Sequence, residues 1–176
     1  NSQEDYPKAL EYILKGNELD EELGNKTGIA SNLGNIGQIY AAMDNLPKAL
    51  EYDSSALALY TELGDKNGIA RNLGNMGGIY AEQGLYTKSL DHYTQALAIS
   101  KELGLQIGIA TNLGAIGGTY LKVAKDKNPE ALRTMFNGNK SNALQQAQIY
   151  TDSAIVISKE IGDIHSLIKL YERQSE

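Results

Sequence analysis

The chain has 176 residues, is 41% hydrophobic and carries a formal net charge of −6, which predicts a folded domain with a substantial core. The acidic balance argues against a nucleic-acid partner, because binding phosphates requires clustered positive charge. The chain contains no cysteine, which excludes disulfides and thiolate chemistry and leaves the compartment open. The cytoplasm is slightly favoured, and a signal sequence upstream of Asn1 is the alternative. No apolar run approaches the roughly 18 residues that span a bilayer, so no membrane span is predicted in this segment.

In chain order, the predicted elements are helices separated by glycine-containing turns. The first helix opens at Tyr6 and matches the second helix of a pair whose first helix is missing. Two helices then recur in each stretch of forty residues, because apolar side chains fall three or four apart in both halves of it. Turns are predicted at Gly24 and Gly64, since glycine supplies a left-handed cap and the following Asn25 or Asp65 can cap the next helix.

A strict period of forty residues relates successive parts of the chain. It aligns three Gly-Ile-Ala triplets, three mid-helix glycines and three tyrosines: Gly28, Gly68 and Gly108; Gly37, Gly77 and Gly117; Tyr40, Tyr80 and Tyr120. A period of about 20 to 50 residues indicates a solenoid. A mid-helix glycine costs roughly 1 kcal/mol relative to alanine, so the second set predicts close helix packing rather than a phosphate loop. The tyrosines are predicted to be core residues.

The residues that recur with this period resemble the motif of the tetratricopeptide repeat family. That motif has a large apolar residue followed by glycine, a tyrosine three residues after the glycine, an alanine nine residues after the tyrosine, and a second alanine seven residues after the first. In one forty-residue repeat, the motif is formed by Ile36, Gly37, Tyr40, Ala49 and Ala56. The next two repeats follow it with Met76, Gly77, Tyr80, Ser89 and Ala96, and with Ile116, Gly117, Tyr120, Ala147 and Ala154. The resemblance implies an all-α fold, a right-handed α-solenoid of antiparallel helix pairs. The long period is similar to the branch found in adaptor proteins and sensory portions of bacterial signalling proteins.

The domain prediction is a single helical repeat domain over residues 1–176, truncated at both ends because it begins in a second helix and stops partway through a first one. Residues 121–146 contain an insertion between the two helices of the last full repeat. One interpretation is a solvated linker with a short helix from Pro129 to Phe136, and the other is a partner-specific contact. The insertion has a local excess of three positive charges, and its Phe136 either anchors it or reaches a partner.

No catalytic, metal or cofactor site is predicted, because the residue types for one are missing or scattered. His92 and His165 are the only histidines, and no metal-ligand spacing surrounds either of them. His92 is predicted to face solvent from an outer position of a second helix. The sequence therefore predicts a chain that is not an enzyme.

The resemblance implies that the first helices of successive repeats line a concave groove that binds a protein or peptide partner. The groove candidates are Ser31, Asn35, Gln38, Arg71, Asn75, Glu82, Thr111 and Lys122. The amides of Asn35 and Asn75 are predicted to bond an extended peptide backbone, since an amide offers both a donor and an acceptor. For Asn32, Asn72 and Asn112, bonds to a ligand and bonds to neighbouring helices both stay open.

The functional prediction is a non-catalytic protein–protein interaction module, as the regulatory or sensory portion of a larger signalling protein. The alternative is a structural spacer or self-association domain whose groove holds no ligand.

Overall fold

A computed structural model describes residues 6–175, in which all regular structure is helical. The helices are α1 (Tyr6–Glu22), α2 (Lys26–Ala42), α3 (Leu46–Leu63), α4 (Lys66–Glu82), α5 (Tyr86–Glu102), α6 (Gln106–Lys125), α7 (Glu130–Phe136), α8 (Lys140–Glu160) and α9 (Ile164–Ser175). The predicted truncation concerns the two chain ends, and residues 1–5 and 176 lie outside the described part.

The helix boundaries lie at the glycines that the sequence indicated. Gly24 and Gly64 adopt left-handed backbone angles, with φ of 65° and 67°. The side chain of Asn25 then accepts a hydrogen bond from the N–H of Gly28 at 3.1 Å, and Asp65 accepts one from the N–H of Gly68 at 3.0 Å. The predicted combination of a glycine C-cap and an Asn or Asp N-cap is confirmed.

The helices form two compact units, one of residues up to 79 and one of residues from 80 onwards, with α4 spanning the division. In the first unit, the core is built on Ala30, Ala56 and Tyr60. A side chain at Gly37 would place its Cβ 2.8 Å from Oδ1 of Asp53 and 3.2 Å from the carbonyl oxygen of Ala49. Helices α2 and α3 therefore approach each other through this glycine, which confirms the packing prediction.

The second unit has its own core, formed by residues of α5, α6, α8 and α9: Leu97, Ile109, Leu113, Ile116, Ala154, Ile155 and Leu170. Gly117 repeats the arrangement of Gly37, because a Cβ there would lie 3.0 Å from the carbonyl oxygen of Ala147. Tyr120, near the end of α6, lies against Tyr150 of α8 and also against Phe136, which precedes α8, with ring centroids 5.6 Å apart in both pairs. The end of α6 therefore lies near the start of α8, and the two helices run antiparallel. The insertion therefore joins the two helices of one antiparallel pair.

The insertion contains the predicted short helix, α7, which begins directly after Pro129. Phe136, the last residue of α7, packs edge-on against Tyr120 with ring centroids 5.6 Å apart. The sequence left open whether Phe136 anchors the insertion or reaches a partner, and in the structure it anchors the insertion on α6.

A second set of glycines, near the start of each first helix, lies against the side chain eight residues earlier. The three pairs are Gly28 with Asp20, Gly68 with Tyr60, and Gly108 with Ser100. In each pair a Cβ on the glycine would overlap the opposing side chain. The absence of a side chain therefore lets consecutive helices pack closely at these points, although the opposing residue differs each time.

Candidate partner-binding surface

Five of the predicted binding residues belong to the first unit, on α2 and α4. Ser31, Asn35 and Gln38 follow one another at intervals of four and three residues, so they share one side of α2. Arg71 and Asn75 are one turn apart on α4. Gln38 and Arg71 are exposed, and the other three are half-buried. We call these five residues the polar surface.

The polar surface contains three side-chain amides, on Asn35, Gln38 and Asn75, and none of them has a hydrogen-bond partner within the described part of the chain. Asn35 and Asn75 are the two that are half-buried. The side-chain amides of Asn35 and Asn75 make no hydrogen bond within residues 6–175, and none of their polar atoms is sealed from solvent. They occupy the same position in consecutive rows of the forty-residue period. Each amide therefore retains its donors and acceptor for another molecule.

Arg71 is held in place by a tyrosine of the preceding helix. Its Nη2 donates a hydrogen bond of 2.6 Å to the hydroxyl oxygen of Tyr60, whose ring is 2% exposed. The guanidinium carbon lies 5.9 Å from the centroid of the same ring. One edge of the guanidinium is thus fixed on a rigid support, while the exposed side chain keeps further N–H donors for a carboxylate or a carbonyl.

The second asparagine set, Asn32, Asn72 and Asn112, bonds within the protein. Nδ2 of Asn32 donates to Asp20 at 2.8 Å, that of Asn72 to Asp53 at 3.1 Å, and that of Asn112 to the carbonyl oxygen of Gly108 at 2.8 Å. Asn72 and Asn112 are buried. The structure therefore supports bonds to protein groups for this set, of the two interpretations that the sequence left open.

Asp53 is a buried carboxyl group that the sequence analysis did not single out. It is 0% exposed, and within residues 6–175 the only hydrogen bond of its carboxyl group is the one that it accepts from Asn72. Desolvation raises its pKa from 3.8 to about 7, against the opposing effect of the Asn72 bond. Oδ2 of Asp53 and Oδ1 of Asn72 have no hydrogen-bond partner. The only sequence signal that Asp53 is buried was its position in the repeat, because the equivalent position one period later holds an aromatic residue, Tyr93.

The remaining predicted residues, Glu82, Thr111 and Lys122, lie in the second unit and are all exposed. Thr111 and Lys122 lie on one side of α6 but three turns apart, or roughly 16 Å along the helix. Glu82 is the last residue of α4. The structure therefore spreads these three side chains along the unit, and it gives them no common contact.

The tyrosine column is only partly buried, which corrects the prediction that Tyr40, Tyr80 and Tyr120 are core residues. All three are half-buried, because each ring packs against another ring near the surface of its unit. Tyr40 stacks on Tyr52 with centroids 5.4 Å apart, and Tyr80 contacts His92 at 4.9 Å. The prediction that His92 faces solvent holds only in part, since His92 is half-buried and Tyr80 covers one side of its ring.

In the residues that the structure describes, no helix is long and apolar enough to cross a membrane. Over the same residues, no three histidine, aspartate or glutamate side chains are grouped as ligands for a metal ion would be.

Comparison with known proteins places the fold. Residues 27–102 match a family model described as Tetratricopeptide repeat. The crystal structure of BtubC (BKLC) from P. vanneervenii is similar, with a TM-score of 0.69 and 18% sequence identity over 89% of this chain and 58% of that one. At this identity the likeness shows the fold alone, and this chain spans little more than half of that protein. A comparison with curated protein sequences gives no match.

Proposed function

We propose that this chain binds a peptide or helix of a partner protein, because residues 27–102 match the model of the tetratricopeptide repeat, a type of repeat that generally serves as a non-catalytic interaction module. The binding site of the first unit is the polar surface of Ser31, Asn35, Gln38, Arg71 and Asn75. In the second unit, the proposed partner-binding residues are Glu82, Thr111 and Lys122. The long period further suggests that the chain is the regulatory or sensory portion of a larger signalling protein.

The observation that carries this proposal is the pair of unpartnered amides at Asn35 and Asn75. The other recurring asparagines, at Asn32, Asn72 and Asn112, are all occupied by bonds within the protein. An open amide on each of two consecutive first helices provides two separate donor–acceptor pairs. This arrangement suits the alternating N–H and C=O groups of an extended main chain.

Arg71 gives the same surface a preference among partners. It is the only charged residue of the five, and its bond to Tyr60 reduces the side-chain entropy that binding would otherwise cost. A partner that places a carboxylate or a main-chain carbonyl at this point gains a charge-assisted hydrogen bond.

The test starts from peptides selected on the wild-type chain from a random library, with their affinities measured by fluorescence anisotropy. The double variant Asn35→Ala with Asn75→Ala should weaken binding roughly thirtyfold, because it removes two hydrogen bonds of about 1 kcal/mol each. Circular dichroism should show unchanged helix content. The matched control is Asn67→Ala with Gln106→Ala, which removes two exposed amides from the first turns of α4 and α6.

Equal weakening by both double variants, or no weakening by either, would contradict the proposed site. The alternative function, a spacer or self-association domain, makes a different prediction for the same preparation. It predicts that no peptide is selected and that the sedimentation coefficient rises with protein concentration.

A further inference from the structure

The insertion region has the opposite charge to the rest of the molecule. Residues 121–146 contain five basic and two acidic side chains, which gives a net charge of +3, whereas the other residues together carry −9. Lys122, Lys127, Arg133 and Lys140 are exposed, and none of them forms an ion pair within the described residues. We call these four residues the basic end.

The four basic side chains lie at the same end of the α6–α8 helix pair. Because α6 and α8 are antiparallel, the last turn of α6, which carries Lys122, lies at the same end of the pair as Lys140, the first residue of α8. Arg133 is on α7, which packs against both of these helices, and Lys127 is in the short link between α6 and α7. Four cations spread over nineteen positions of the sequence are thus brought to one end of a single helix pair.

The segment that carries these cations is held in a defined conformation. The hydroxyl of Tyr86 donates a hydrogen bond of 2.6 Å to Oδ2 of Asp126, and Oδ1 of Asp126 accepts one from the N–H of Asn128 at 2.9 Å. Burial and the neighbouring Asp126 raise the pKa of Tyr86 to about 12, so the tyrosine stays protonated and keeps donating at neutral pH. At the other side of α7, Phe136 packs on Tyr120.

Helix stabilisation explains only part of the charge pattern. Lys122 and Arg133 lie in the last turns of α6 and α7, where a cation interacts favourably with the helix dipole. Lys140 instead lies in the first turn of α8, where the dipole disfavours a positive charge, and Lys127 belongs to no helix. Two of the four cations therefore have no role in stabilising a helix, so helix stabilisation does not account for the basic end as a whole.

We propose that the basic end binds a short acidic segment of a partner polypeptide. The ordered backbone and the four unpaired cations match a run of carboxylates, which gains electrostatic attraction without ordering a loop. A long polyanion such as nucleic acid is disfavoured, because it would extend beyond the basic end along a unit whose other residues, with 8 acidic and 5 basic side chains, carry a net charge of −3. The proposal is independent of the polar surface, which lies in the first unit.

The experiment measures the binding of fluorescein-labelled octaglutamate to the full chain by fluorescence anisotropy. Replacing Lys127, Arg133 and Lys140 by glutamine should weaken binding about tenfold or more, since each exposed pair contributes modestly. Lys122 is left unchanged because it is also a candidate for the proposed partner-binding site. Affinity should fall as salt is raised, because exposed charges are screened.

The control variant removes the same total charge from exposed lysines outside the insertion: Lys8→Gln, Lys101→Gln and Lys169→Gln. It should change octaglutamate affinity less than about twofold. Equal losses in the two triple variants would overturn the proposal, because net charge alone would then account for binding. Undetectable binding of octaglutamate to the wild-type chain, or tighter binding of octathymidylate, would also overturn it, the latter in favour of nucleic acid.

Discussion

Replacing Asp53 by asparagine should stabilise the chain at neutral and alkaline pH. The carboxyl group is sealed between α2, α3 and α4 with a single amide donor, and no charge of opposite sign contributes to its pKa of about 7. Ionisation therefore leaves a charge in the core that only Asn72 stabilises. An asparagine at this position keeps the shape of the side chain, carries no charge, and adds a donor where Oδ1 of Asn72 has no partner.

The magnitude follows from the two pKa values. The rise from 3.8 to about 7 corresponds to about 4 kcal/mol, at roughly 1.36 kcal/mol for each step of one in pKa. Because the pKa is higher in the folded chain, the folded chain binds the proton more tightly than the unfolded chain does. The stability that this proton confers is fully present below about pH 4 and is lost as the pH rises to about 7.

The assay is urea unfolding followed by circular dichroism, for the wild-type chain and Asp53→Asn, at several pH values from about 4 to about 8. The difference in unfolding free energy should be small near pH 4 and should grow to as much as about 4 kcal/mol in favour of asparagine near pH 8. The control Asp91→Asn removes the same charge from an exposed position of α5 and reports the effect of net charge alone. A difference that does not change with pH, or an asparagine variant that is less stable near pH 8, would refute the reasoning.

Four further substitutions, one of them a control, test the packing and the order of the insertion. Gly117→Ala should lower the unfolding free energy by roughly 1–3 kcal/mol, because the added Cβ meets the backbone of α8. The control Gly16→Ala should raise the unfolding free energy by about 1 kcal/mol, because there is space for a Cβ at that position. Similar effects of the two substitutions would contradict this reasoning. Tyr86→Phe should speed amide hydrogen exchange in residues 126–139, because the bond to Asp126 is lost, and unchanged exchange would show that the bond does not order the insertion. Ser158→Ala should raise the urea midpoint by an amount equivalent to roughly 1 kcal/mol, because none of the described residues bonds to its buried hydroxyl; a lower midpoint would contradict this reasoning.

The fold was predictable because its determinants are local and repeated. The left-handed conformation of Gly64 and the cap at Asp65 follow from residue type and position, and they recur with the same spacing along the chain. The close approach at Gly37 was also predictable, since a mid-helix glycine is unfavourable unless a neighbouring helix requires it. For such features, the physical cause lies within a few residues of the effect.

The features that escaped prediction depend on side chains that are distant in the sequence. His92 was assigned to solvent because its own helix position is an outer one, but Tyr80 on the preceding helix covers one side of its ring. Asp53 reads as an ordinary surface carboxylate until Gly37 and Asn72 enclose it. For the candidate site, spacing located the amides on α2 and α4, but only the hydrogen bonds separated the open pair from the occupied set.

The glycines at positions 28, 68 and 108 have a consequence for how such an array can change in evolution. Their opposing residues are an aspartate, a tyrosine and a serine, which differ in volume, charge and hydrogen bonding. In each of these contacts only the glycine is constant, so the opposing residue can vary while the backbone follows the same turn. A duplicated repeat can therefore acquire a new internal contact at this point, such as the support that Tyr60 gives Arg71, by one substitution. Diversification of the repeats then proceeds without first remodelling their junctions.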